Sequence, residues 1–141
     1  MRKGTLAIVH AAILVALGAT ARAGSPVRFR DRCAAGCAYT PGLDHSRTNA
    51  SSLPSGSSAL SAFAHGDASF DAIVACVRDT FAPFAIEVTD VDPGGADHFE
   101  VAVAGTSQQL GLPSGIANVS PVTCLNDGVI ANGLAFAFAN T

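Results

Sequence analysis

Four carboxylates, Asp90, Asp92, Asp97 and Glu100, fall within eleven residues. Carboxylate oxygens that close in sequence can converge on a hard cation, so a weak calcium site is one reading. The spacing does not follow a twelve-residue EF-hand loop, because the glycine and the closing glutamate are out of place. An acidic, solvated turn is the other reading. Histidines supply the second candidate chemistry. His45, His65 and His98 are far apart, and none lies two to four residues from another. A zinc site usually takes two ligands from one local element, such as a histidine pair one helical turn apart. That pair is absent, and His98 beside Asp97 reads as a solvated turn histidine. Serines are frequent but cluster in one loop, and no G-x-S-x-G elbow is present. "PGGAD" and "PSG" lack the lysine and spacing of a phosphate loop. Asn49-Ala50-Ser51 and Asn118-Val119-Ser120 match the glycosylation acceptor triplet, which is frequent by chance.

Cysteine is the third candidate chemistry. Cys33, Cys37, Cys76 and Cys124 make an even set. Even counts in an exported chain point to disulfides, and three pairings exist. Cys33–Cys37 with Cys76–Cys124 is favoured, because the first is local and the second ties a helix to a later loop. A four-thiolate metal site is the alternative, but separations of 4, 39 and 48 residues are not those of paired zinc-finger ligands.

The export assignment comes from the start of the chain. Arg2 and Lys3 precede an apolar run, Leu6 to Leu17, and "GATARA" ends in small Ala21 and Ala23. This is the three-part layout of a secretory signal peptide spanning 1–23. The run of about 12 residues is short of the roughly 20 that span a bilayer. The expected product, 24–141, is a single domain that is secreted or periplasmic, with no stable membrane anchor. It keeps five arginines against eleven acidic residues, a net charge of −6, and no lysine. That charge repels phosphate backbones and argues against nucleic acid as a partner.

The elements that must position these groups are most legible in the middle third. Ser69 reads as a helix N-cap with Asp71 in the first turn. Ile73, Cys76, Val77, Thr80 and Phe81 form one stripe at steps of three and four. Pro83 stops the helix, which is expected over about 69–82. Phe84, Ile86 and Val88 alternate as a strand, "DVDPGGAD" turns, and "HFEVAVAG" follows with Phe99, Val101 and Val103 on one face. "GSPVRFRDR" reads as a short strand or an extended lead-in. "IANVS" offers a short strand, and Leu134, Phe136 and Phe138 mark a terminal one. Residues 38–66 are loop-rich. The fold class is α+β, with a mixed twisted sheet of about four strands and one main helix. One helix covers one face of a sheet, so a partly exposed apolar second face is expected.

One block resembles a known family. "CVRDTFAPFAIEVTDVDPG", then "HFEVAVAG", a Gly-rich link, "VSPVTC" and "LAFAFAN" are similar to the amino-terminal half of secreted, metzincin-like zinc metallopeptidases of bacteria. A narrower set of exported, mostly uncharacterised proteins shares the "SRTN.SS" loop, here Ser46 to Ser52. The resemblance covers most of residues 33–140. It implies a long helix and a twisted sheet above an active-site cleft. It also implies that zinc is bound downstream by an H-E-x-x-H-x-x-G-x-x-H helix whose glutamate is the general base. No residue here matches a zinc ligand or that base. No catalytic or metal residue is therefore carried over, and no cofactor is expected on this chain, although full-length relatives hold zinc. The expectation is a metallopeptidase-like scaffold, inactive as given, from either a piece of a longer gene or a domain that lacks the chemistry. The alternative is a disulfide-stabilised secreted module that binds an unknown protein through its sheet edge or loop.

Overall fold

A computed structural model describes residues 27–121 and 131–140. The fold is α+β, in three layers. The central layer is a five-stranded sheet built from β1 (Val27–Asp31), β5 (Glu87–Thr89), β6 (His98–Val103), β7 (Asn118–Val119) and β8 (Leu134–Ala137), in the order β5-β1-β6-β8-β7. β5, β1, β6 and β8 run parallel, and β7 closes one edge antiparallel to β8. β1 is thus an interior strand with partners on both sides.

One helix, α1 (Asp67–Phe81), covers one face. Its cap lies three residues earlier than the predicted Ser69. Gly66, at φ +79°, turns the chain into the helix without a side-chain cap. Asp67 occupies the first turn, where the helix dipole favours a negative charge, and pairs with Arg32. The helix ends at Phe81 with Ala82 as C-cap, next to the proline at 83, which has no amide hydrogen to continue the ladder. The buried stripe is also shifted from the predicted one. Phe70 and Val74 are buried, with Ile73, Val77 and Phe81 half-buried, whereas Cys76 and Thr80 face outward. Phe70 and Val74 meet Val101, Val103 and Ala137 of the sheet, and Phe63 packs edge-on against Phe70.

The opposite face is not left bare. The loop-rich segment folds into a three-stranded sheet of β2 (Cys37–Pro41), β3 (Ala50–Ser51) and β4 (Ser58–Leu60), in the order β3-β2-β4. Tyr39 and Leu60 from this sheet join Leu134, Phe136, Phe138, Ala102 and Leu110 in the larger core cluster. Tyr39 meets Phe136 edge-on at 5.0 Å. This corrects the expectation of a partnerless second face. The covering layer escapes pattern reading because its strands are two to five residues long and bury few apolar side chains. Polar bonds hold it instead. Asp44 accepts from the Ser51 and Ser52 hydroxyls and from the Ser52 amide. The sheet therefore has five strands, one more than expected, and a second sheet accompanies it. Among the described residues, the large apolar groups that stay exposed are Leu43, Phe84 and Val91.

Candidate functional site

β6 is the strand that carries polar groups into the interior. Its two-residue period puts Phe99, Val101 and Val103 on one face, as predicted, and Val101 and Val103 there meet α1. The same period sends His98, Glu100 and Ala102 toward the three-stranded sheet, where His98 and Glu100 are each only 3% exposed. This overturns the solvated-turn reading of His98.

Three contacts fix this pair. Tyr39 of β2 donates its hydroxyl to Glu100 Oε1 at 3.2 Å. His98 Nδ1 lies 2.8 Å from the Ala96 carbonyl. A carbonyl only accepts, so Nδ1 carries the hydrogen, and in the neutral ring Nε2 is the bare nitrogen. Nε2 lies 3.8 Å from Glu100 Oε2, beyond hydrogen-bond range but within strong electrostatic reach. Burial, followed by the charge of Asp31, pushes the Glu100 carboxyl up to about 7, against the opposing pull of the Tyr39 hydrogen bond, with Asp92 adding a further upward push. The Tyr39 phenol is pushed up as well, first by burial and then by Glu100 and Asp31.

A polar pocket of about 290 Å³ opens beside this pair, bordered by Asp31, Ser46, Arg47, Asp92, His98 and Glu100 among others. Its outer wall is the 3-10 turn Ser46–Thr48. Ser46 donates its hydroxyl to the His98 carbonyl at 2.6 Å and its amide to the Asn132 carbonyl. Arg47 and Asn132 both donate to Asp97 Oδ1. These bonds, Asn132 first, hold the exposed Asp97 carboxyl below the usual range. The Ser46 hydroxyl is thus committed to a backbone carbonyl, with no base aimed at it. The arrangement can hold a proton near neutral pH and dock the turn onto the sheet. It contains no nucleophile poised by a base.

The four carboxylates singled out in the sequence go to separate partners. Asp90 pairs with Arg78 at 2.8 Å. Asp92 accepts the Gly94 amide at 2.7 Å. Asp97 serves Arg47 and Asn132, and Glu100 is buried against Tyr39. Asp92 borders one polar pocket with Asp90 and another with Glu100. His65 lies at the surface with Nε2 2.6 Å from the Ala139 carbonyl. His45 precedes the 3-10 turn and is half-buried. Among the described residues, the one trio of potential metal ligands with atoms within 4.8 Å of one another is Asp31, Cys33 and Cys37. The histidines do not gather.

Cys33 and Cys37 form a disulfide, as expected for the local pair. Cys76 carries a free, exposed thiol. Its expected partner Cys124 lies outside the described residues, as do Asp127 and the leader 1–23. The buried Tyr39–Glu100–His98 cluster is what sequence reading misses. The available signal was that a strand flanked by two parallel neighbours is covered on both faces, so the alternate residues of "HFEVAV" are interior as well.

No family model matches the chain, and neither the curated proteins nor the solved structures contain a match. Among the described residues, no helix is long and apolar enough to cross a membrane.

Proposed function

We propose that this chain is an exported, metallopeptidase-like scaffold: a helix-backed sheet that roofs a peptide cleft and contributes no hydrolytic centre of its own. The observation that carries this reading is the order in which the resembling blocks enter one sheet. "CVRDTF" ends α1, "EVT" is β5, "HFEVAV" is β6 and "LAFA" is β8, with β7 as an antiparallel edge. A helix packed on one sheet supports this reading, because a long helix and a twisted sheet are what the resemblance implies. Among the described residues β7 pairs with β8 on one side only, which leaves one row of backbone groups for an extended peptide. The signal-like leader and the disulfide support an oxidising compartment, secreted or periplasmic.

The test is hydrogen exchange at the Asn118 and Val119 amides with and without extended peptides. Protection of these amides is expected. Peptide binding that leaves both unprotected, or no binding at all, overturns the reading. The second reading, a disulfide-stabilised interaction module, is favoured by exposed Phe84 and Val91 flanking β5 at the other edge. Protection confined to the Glu87–Thr89 amides would select it.

A further inference from the structure

The contact between Asp31 and the disulfide has no purpose in the oxidised protein. Asp31 Oδ1 accepts the Cys33 amide at 2.7 Å, which fixes the carboxylate. Its other oxygen, Oδ2, then lies 3.1 Å from Cys37 Sγ. A disulfide sulfur has no hydrogen to donate, so this approach makes no hydrogen bond. The same geometry suits a thiol or a metal ion.

Three further facts point to a metal. The two sulfurs and a carboxylate oxygen lie within 4.8 Å of one another. Cys33 and Cys37, with three residues between them, are near enough in the chain for both to reach one ion, although the second local pair of a four-thiolate site is lacking. Asp31 also borders both polar pockets, of about 270 and 290 Å³, whereas the sulfurs are buried behind it. A hydrated ion would reach the carboxylate first and could keep water as a further ligand.

We propose that the Cys33–Cys37 disulfide masks a redox-gated metal site, in which Asp31 and the two released thiolates take one thiophilic divalent cation such as Zn²⁺ or Cd²⁺. A dithiol reductant supplies two electrons and two protons to the disulfide and is itself oxidised to a cyclic disulfide. Both cysteines become thiols, and the incoming cation displaces their two protons to solvent. This site is independent of the scaffold reading and of the histidine-bound zinc of the resembling family.

The experiment uses the full chain with Cys76→Ser and Cys124→Ser, so that Cys33 and Cys37 are the only thiols. Oxidised and dithiol-reduced protein are titrated with Cd²⁺, and sulfur-to-metal charge-transfer absorption is followed. The reduced protein should bind one equivalent and the oxidised protein none. Bound Cd²⁺ should also raise the urea midpoint of the reduced chain. Asp31→Asn keeps an acceptor for the Cys33 amide, and it should weaken binding by about tenfold or more, the scale seen when groups around a metal are altered. Any of three results overturns the proposal: no thiolate absorption on reduction, unchanged affinity in D31N, or a reduced chain that stays unfolded with metal present.

Discussion

Replacing Glu100 with glutamine should stabilise the protein at alkaline pH. Glu100 is 3% exposed, so solvent screens it little. Its carboxyl is pushed from 4.5 to about 7, first by burial and next by Asp31. The sign follows from proton linkage. Below pH 4 both folded and unfolded chains hold the proton, and nothing is lost. Between 4.5 and 7 the unfolded chain releases it while the folded chain keeps it, so stability falls as pH rises. Above 7 the folded chain also ionises, and the penalty is complete. The gap from 4.5 to about 7, at about 1.36 kcal/mol per pH unit, corresponds to about 3 kcal/mol. The E100Q variant keeps an oxygen to accept the Tyr39 hydroxyl and carries no charge. Urea unfolding of both proteins, disulfide intact, at pH 4 and pH 8 reads the difference directly. The variant should gain about 2–3 kcal/mol on the wild type between these values. Titrating groups distant from Glu100 are common to both proteins and cancel. An unchanged gap between the two pH values, or a less stable variant at pH 8, would refute the assignment of Glu100 as a buried, reluctantly ionised acid.

Tyr39→Phe removes the bond that pulls the Glu100 carboxyl down. The wild-type fall in stability should therefore move to higher pH, with a loss of about 1–2 kcal/mol at pH 5 from the unmade hydrogen bond; urea midpoints across pH 5 to 9 measure both. Gly105→Ala should cost about 2–4 kcal/mol. The backbone there is at φ +56°, and an added Cβ would lie 2.6 Å from Gln109 Oε1 and 2.9 Å from Leu60 Cβ; thermal unfolding is the readout. Arg78→Ala removes the 3.0 Å bond to the Val88 carbonyl and the pairing with Asp90. The side chain is half-exposed, so about 1 kcal/mol is expected, with faster amide exchange confined to β5.

The sequence speaks most clearly where one periodicity governs a whole element. The stop at Pro83, the alternation of Leu134, Phe136 and Phe138, and the shared face of Phe99, Val101 and Val103 all appear as read. The helix stripe is offset because Phe70 and Val74 bury as deeply as any neighbour, and a stripe drawn through Cys76 and Thr80 omits them. The small sheet is illegible because its order comes from polar bonds, Asp44 to Ser51 and Ser52 within the segment and Ser46 to the distant His98 carbonyl, which leave no apolar period. The polar cluster is hidden for a related reason. Glu100 and His98 resemble surface residues by type, and partners such as Tyr39, 61 residues from Glu100 in the chain, make their burial tolerable.

Zinc content and peptide hydrolysis, measured together on the purified, disulfide-intact chain, test the scaffold reading most directly. Far less than one equivalent of retained zinc and no cleavage of unstructured substrates are expected. One equivalent of tightly held zinc, with cleavage that a chelator abolishes and zinc restores, would contradict the claim that these residues roof a cleft without supplying its chemistry.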